Sequence, residues 1–300
     1  MAHAARVGDF VVTFWGVRGS IATPGPGTSR VGGNTSCVEV QVGGHRIVLD
    51  GGTGLRNLGQ QLQARSAAPL GEGDPLDAHL FFSHLHWDHI QGLPFFAPLF
   101  HPESVLRCYA GRMGDASLRE ALQGQMSAPY FPVDFARVAG ALHTRDVAVR
   151  EAVHLDRGVS VYGIEGNHPG GVFAWRITYA GHSLVYATDT EPHPDTDRAL
   201  VQLAHSADVL IHDAQYTPEE YDGRDGLGGH VGWGHGTMLD AARIAREARV
   251  GALVLFHHDP AHDDDTVAAM EDRAREAFGN TVAAREGLSL EVPSAQKTLR

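Results

Sequence analysis

The stretch HLFFSHLHWDHIQG, residues 79–92, places three histidines and an aspartate within six positions, from His84 to His89. Its apolar start, HLFF, is typical of a buried strand. Side chains alternate along an extended backbone, so His84 and His86 would lie on one side of it. If a helix begins near Asp88, the last two polar side chains reach the same point from another direction. Four ligand-type residues so close together suit two adjacent metal ions better than a chance histidine-rich loop.

The composition is that of an ordinary globular protein. With 300 residues, 43% of them hydrophobic, the chain can bury a sizeable core. The first twenty residues show no basic start followed by an apolar run, and no apolar stretch approaches the roughly 20 residues that span a membrane. Cys37 and Cys108 are the only cysteines. We therefore expect a reduced, cytoplasmic protein without membrane association.

The net charge of −12 bears on the partners. A broad contact with a phosphate backbone requires a basic face, so nucleic acid is an unlikely partner on this ground. A small anionic substrate is still compatible with the charge, because bound metal ions would supply local positive charge.

The order of apolar runs predicts the fold class. Early strand-like runs follow one another closely, with hairpin turns at 42–46 and 180–183, and later ones alternate with helix-like segments. This order indicates two packed sheets with helices outside, in a single domain over 1–300 with a core of about 10–290. The predicted strands are 10–16, 37–42, 46–50, 79–83, 105–110, 159–164, 172–180, 183–189, 208–213 and 252–258, and the predicted helices are 55–65, 115–126, 195–206, 237–249 and 264–278. Residues 66–75 and 222–236 are expected to be surface loops.

The segment FFSHLHWDHIQGLPFF, residues 81–96, resembles the signature of the metallo-β-lactamase superfamily. The resemblance implies an α+β fold, a four-layer αββα sandwich, with a two-metal site between the sheets. Further ligands in that family follow later strands, and matching residues occur here in GNHPGG (166–171), YATDTE (186–191) and LVLFHHDP (253–260). The implied ligands are His84, His86 and His168 for one ion, Asp88, His89 and His257 for the other, and Asp189 as a bridge.

Some of these assignments have alternatives. His258 competes with His257 for the last position, although the strand end favours His257. His168 could instead be a solvated loop residue, and Asp189 could cap the following segment. Asp50, in VLDGGTG, matches a family aspartate that orients ligands, but two glycines follow it and a plain turn would explain it too.

The family chemistry would follow from the metals. Two divalent ions share a water, lower its pKa and present hydroxide to the substrate. Mixed imidazole and carboxylate ligands favour zinc, with manganese or iron tolerated. Asp88 would belong to the catalytic residues as well as to the ligands.

Motifs outside the metal signature point to phosphoester chemistry. FWGVRGSIATPG (14–25) and GGNTSCVEV (32–40) resemble phosphodiesterase-like members related to tRNA 3′-processing endonucleases. In LIHDAQYT (210–217) and GWGHGT (232–237), Asp213 and His235 resemble the acid–histidine pair of those nucleases. His235 would protonate the leaving oxygen or stabilise transition-state charge. Alternatively, His235 merely precedes a helix capped by Thr237.

The resemblance thus implies a phosphodiesterase acting on a small, cyclic phosphodiester. The alternatives are a tRNA 3′-processing endoribonuclease, against which the charge and the absence of a recognisable tRNA-gripping arm count, and a non-catalytic metal or nucleotide sensor. Arg18, Asn34 and Ser36 are candidates to bind phosphate or ribose, or else to stabilise turns. The segment SAPYFPVDF (127–135) is a lid, a base-stacking wall or a packed loop. A homodimer is compatible with the family, but no interface can be identified.

Overall fold

A computed structural model describes residues 10–66, 74–112 and 117–292. Within these residues there are fourteen strands. In chain order, β1 to β14 are Phe10–Gly16, Cys37–Val42, His45–Leu49, Asp77–Phe82, Val105–Gly111, Leu142–Val147, Ala152–His154, Ser160–Glu165, Phe173–Tyr179, His182–Ala187, Val209–Asp213, Ala252–Phe256, Thr281–Ala283 and Ser289–Glu291.

The strands form two sheets of seven with matching organisation. The first has the order β14-β1-β2-β3-β4-β5-β6 and the second the order β13-β12-β11-β10-β9-β8-β7. In the first, β3 to β6 are parallel neighbours and the remaining pairs are antiparallel. In the second, β10 to β13 are parallel and β7 to β10 antiparallel. Each sheet therefore has a set of parallel strands whose carboxyl ends share one edge.

Seven α-helices lie within the described residues. They are α1 to α7, at Gly54–Ser66, Trp87–Ile90, Leu118–Gln125, Pro194–Ala204, Pro218–Tyr221, Met238–Ala248 and Asp264–Ala277. Thr237 caps α6, since its side chain accepts a hydrogen bond from the backbone N–H of Asp240, and Asp263 caps α7 through Thr266. All of these helices are too short or too polar to cross a bilayer.

Three apolar clusters separate four layers. The central cluster lies between the sheets and joins Phe14 of β1 to Trp175 of β9. A second cluster lies between the first sheet and α1, with Leu58, and a third lies between the second sheet and α6, with Ile244. Because each sheet is covered by helices on its outer face, the prediction of an αββα sandwich in a single domain is confirmed for the described residues, and the bounds 1–300 and 10–290 stay a prediction.

The strand ends carry the polar residues of interest. Asp50 follows β3, His84 follows β4 closely, Asp189 follows β10, and His257 follows β12. Ser20, Asp50, Asp189 and His257 account for four of the nine non-glycine residues with positive φ in the described part of the chain. Such conformations persist where surrounding contacts hold them and are frequent at functional sites.

The predicted strands and helices are all present, with ends that differ by a few residues. Four strands were not predicted: β6, β7, β13 and β14. Residues 67–73 of the predicted loop 66–75 lie outside the described residues, whereas 222–236 is a loop as expected.

Candidate metal centre

Three histidines from two loops form the first group of the centre. One nitrogen each from His84, His86 and His168 lies within 4.8 Å of the others. The chain after β4 supplies the first two, and the loop between β8 and β9 supplies His168. His84 is buried, His168 is half-buried and His86 is exposed, so this group opens towards solvent.

A second, fully buried group lies beside it. It contains Asp88, His89, Asp189 and His257, whose ligand atoms also lie within 4.8 Å of one another. The Oδ2 atom of Asp88 is 3.1 Å from Nε2 of His89 and 3.3 Å from Nε2 of His257. The segment after β4, including the start of α2, therefore contributes to both groups, as the six-residue spacing predicts.

Asp189 lies between the two groups. Its Oδ2 is 3.7 Å from Nε2 of His84 in the first group and 3.4 Å from Nε2 of His89 in the second. Its Oδ1 is 3.2 Å from Nε2 of His257. A carboxylate with one group on each side is placed as a bridging ligand requires.

Hydrogen bonds fix which nitrogen each histidine presents. Nδ1 of His89 donates to Asp50, Nδ1 of His257 to the side-chain oxygen of Gln215, and Nδ1 of His168 to the backbone oxygen of Gly234. His84 Nδ1 lies 3.1 Å from Oγ of Ser83. In all four rings Nδ1 is engaged away from the centre, so Nε2 is the nitrogen that faces it and that is placed to bind a metal.

The donor set fits divalent cations. Nε2 of His84 and Nε2 of His89 are buried and have no hydrogen-bond partner. Two ligands about 2.1 Å from one tetrahedral ion lie roughly 3.4 Å apart. The nitrogen–oxygen distances around Asp88 and Asp189 range from 3.1 to 3.7 Å, so the atoms are already spaced as ligands of shared ions.

The electrostatics of the buried group also call for a cation. Burial raises the pKa of Asp189, but His257 and His89 outweigh it and hold the pKa well below its usual range. Burial lowers the pKa of His89, but Asp88 and Asp189 raise it well above the ordinary value. The buried carboxylates thus favour a positive charge close to them, and a divalent ion would supply that charge directly.

The Asp50 carboxylate supports the metal centre through its hydrogen bond with His89. Its side chain is fully buried and accepts hydrogen bonds from Ser83 through the backbone and the hydroxyl, from Tyr186, and from Nδ1 of His89, all between 2.7 and 2.8 Å. It is therefore placed to orient His89, as the family resemblance implies, and it is not simply part of a turn.

Asp213 and His235 form a hydrogen-bonded pair beside the centre. Nδ1 of His235 donates to Oδ2 of Asp213 at 2.9 Å, and the Asp213 carboxylate also accepts from the backbone N–H groups of Gly236 and Asp189. The His235 ring stacks on that of His257, with centroids 5.0 Å apart. Burial lowers the pKa of His235, but Asp213 outweighs it and raises the pKa to about 9.

The three candidate substrate residues do not belong to the ligand groups of the centre. The Arg18 side chain is fully buried, and its guanidinium donates to the backbone oxygens of Gly32, Asp259 and His262. The Asn34 amide donates to Glu286, and Ser36 is fully buried. These contacts join loops, so the structure favours the turn-stabilising interpretation over phosphate or ribose binding.

His258 does not compete with His257. Nε2 of His258 donates to the backbone oxygen of Ala284, and its backbone N–H donates to the backbone oxygen of Val17.

The sequence did not predict the contacts that backbone atoms make at the centre. The N–H of Ser20 donates to Asp88 at 2.8 Å, and the backbone oxygen of Gly234 orients His168. Only the glycines flanking them, in GVRGS and GWGHG, signalled close backbone approach.

A family model described as "Beta-lactamase superfamily domain" matches residues 45–258. The chain belongs to the β-lactamase superfamily. Within it, the curated "Ribonuclease Z" of Archaeoglobus fulgidus is 28% identical over 328 residues, which cover 94% of this chain and 98% of the relative.

Solved structures share the metallo-β-lactamase fold. The metallo-β-lactamase fold protein YhfI from Bacillus subtilis superposes on this chain with a TM-score of 0.67 at 20% identity, over 94% of this chain and 98% of YhfI. Human tRNase Z, short form, gives 0.64 at 20% identity, over 94% and 99%. The superfamily member described here is a metal-dependent hydrolase.

Proposed function

We propose that the chain is a phosphodiesterase whose centre holds two divalent metal ions. His84, His86 and His168 would bind one ion, Asp88, His89 and His257 the other, and Asp189 both. The observation that carries the proposal is the position of the Asp189 carboxylate between two ligand groups, with the Asp213–His235 pair alongside.

The chemistry divides between the ions and the side chains. When bound, the two ions supply an activated water and neutralise charge on the phosphate. His235, held by Asp213, would donate a proton to the leaving oxygen. Asp50 and Gln215 keep His89 and His257 in the orientation that the ions need.

We propose RNA, cleaved near its 3′ end, as the substrate. The support is the relative named Ribonuclease Z, which aligns with this chain over nearly the full length of both. The expectation that nucleic acid is an unlikely partner rested on the net charge and on the absence of a recognisable tRNA-gripping arm, and this relationship weakens it. Local positive charge from two ions would offset the acidic surface at the scissile phosphate.

A small, cyclic phosphodiester is the second candidate. The net charge of −12 favours it, because long-range attraction to a polyanion is absent.

Zinc is the metal that we propose for either substrate, with manganese or iron as replacements. Cys37 and Cys108 are buried and unpaired, which supports a cytoplasmic location.

The test compares substrates on one preparation. The purified protein is analysed for metal content and assayed with a 3′-extended precursor tRNA, a nucleoside 2′,3′-cyclic phosphate and bis(p-nitrophenyl) phosphate. Precursor cleavage that disappears in Asp189→Ala is the expected result. Turnover of the cyclic diester alone would transfer the assignment to the second candidate. A fully metal-loaded protein that hydrolyses none of the three would contradict the proposal and favour a sensor.

A further inference from the structure

A cavity adjoins the chain segment that carries the first ligand candidates of the metal centre. It has a volume of about 320 Å³, and its walls include Leu85, Trp87, Ile90 and Tyr130. Leu85 and Trp87 alternate in sequence with His84 and His86, so one short segment lines the cavity with one set of side chains and supplies ligand candidates with the other. The cavity and the first ligand candidates therefore share one segment of four residues, 84–87.

Two aromatic side chains in the wall of the cavity are exposed to solvent. Trp87 is 69% exposed and Tyr130 is 76% exposed, although both are large apolar side chains. Phe131, next to Tyr130, packs instead against the core below α1 and α3 and against the ring of Phe95. Of the three aromatics in SAPYFPVDF, Phe131 and Phe135 are thus packed against the core, and Tyr130 is left at the cavity.

The cavity also contains an unused hydrogen-bond donor. Gln125, the last residue of α3, lines it, and its Nε2 atom is buried without a partner. A buried amide donor without a partner is destabilising unless water or a ligand satisfies it. None of the lining side chains is charged. The complementary ligand is therefore a flat, neutral group with a polar edge.

The geometry points to a nucleobase pocket formed by Trp87, Tyr130 and Gln125. The base of a nucleoside attached to the scissile phosphate would stack on the two exposed rings, and its edge would accept from the Gln125 amide. Stacking on aromatic side chains is how sequence-tolerant proteins bind single-stranded nucleic acid. The inference rests on the proposed function, since the phosphate at the metal centre brings the base to the pocket.

Binding can be tested without turnover. Nucleoside 5′-monophosphates should quench tryptophan fluorescence of the full-length protein, and ribose 5-phosphate, which lacks a base, should not. Gly124→Leu places a side chain in the cavity, and a Cβ at this position meets no atom within 4 Å, so the fold should tolerate it. We expect this variant to lose the quench and Gln123→Ala, exposed on the same helix, to keep it.

A kinetic comparison isolates the base. Thymidine 5′-p-nitrophenyl phosphate and its abasic counterpart, 1,2-dideoxyribose 5-(p-nitrophenyl phosphate), share a leaving group and a sugar ring and differ in the base. The wild type should prefer the first by about ten- to a hundredfold in kcat/KM, and Gln125→Ala and Gly124→Leu should reduce this ratio. Equal ratios in the wild type and Gly124→Leu, or equal quenching by ribose 5-phosphate, would overturn the pocket.

The outcomes separate this inference from the proposed function. Base-dependent quenching with no hydrolysis of either diester would contradict the phosphodiesterase and leave the pocket standing. Hydrolysis of both diesters at equal efficiency would support the phosphodiesterase and overturn the pocket. If the exposed rings pack on a second copy instead, sedimentation will show a dimer that Tyr130→Ala dissociates, and that result would also overturn the pocket.

Discussion

Two ends of the sandwich are rich in histidine, and they differ in what the histidines contact. At the carboxyl ends of the parallel strands, His84, His89 and His257 converge on two carboxylates. At the opposite end, His45 and His79 line a cavity of about 460 Å³ together with His154 and two arginines.

The histidines at the opposite end have hydrogen-bond partners or belong to no group of potential metal ligands. His79 Nδ1 lies 3.3 Å from the Tyr109 hydroxyl, and His45 Nε2 lies 3.0 Å from the backbone oxygen of Asp156. Among the described residues, the ligand groups within 4.8 Å do not include His45, His79 or His154. Arg107, which lowers the pKa of His79, would also repel a cation. Convergence, fixed ring orientation and free nitrogens therefore distinguish a metal centre, and the number of histidines does not.

The largest effect is expected from removing the shared carboxylate. Asp189→Ala should lose metal and all hydrolysis above the background of the metal-free protein, because both ligand groups contact Asp189. Metal analysis and diester turnover measure the two losses. His79→Gln, at the opposite end, is the matched control and should keep both. Two retained ions in Asp189→Ala would remove the distinction between the ends.

His235→Ala should lower kcat without removing metal. We expect a loss of about a hundredfold or more on a dinucleotide, whose leaving alkoxide needs a proton, and a smaller loss on bis(p-nitrophenyl) phosphate. His182→Ala, at the start of the strand that leads to Asp189, is the control and should have little effect on kcat. Equal losses on the two substrates would exclude a proton-donating role for His235.

Asp50→Asn should weaken metal binding by about ten- to a hundredfold, because the amide no longer orients His89 as a carboxylate does. Tyr186→Phe removes only one of the donors to Asp50 and should weaken binding less. Competition with a chelator measures both affinities. Affinities unchanged from the wild type in Asp50→Asn would show that His89 does not depend on this contact.

The smallest effect concerns the opposite end and appears in stability. Burial and the nearby Arg107 lower the pKa of His79 to about 4, from about 6.5 in the unfolded chain. Between these values the unfolded state binds more protons, so folding loses stability as pH falls. Relative to His79→Gln, the metal-loaded wild type should lose about 1–2 kcal/mol between pH 7 and pH 5 in denaturant unfolding. A pH-independent difference would show that His79 is not buried in its neutral form.

Much of this contrast could be predicted from the sequence, because apolar runs mark the strands and ligand residues follow them. The missed strands are short or polar: β7, β13 and β14 have three residues each, and β6 buries only its ends. Their strand character comes from pairing with neighbours and not from local pattern. The roles of Arg18 and of the Ser20 N–H depend on long-range contacts that no local motif encodes.

Anomalous diffraction from crystals of the zinc-reconstituted protein would locate the ions relative to Asp189. We expect two peaks about 3.5–4 Å apart, one on each side of the Asp189 carboxylate. One of them should lie against His84, His86 and His168, and the other against Asp88, His89 and His257. A peak among His45, His79 and His154, or no peak beside Asp189, would contradict the proposed two-metal centre.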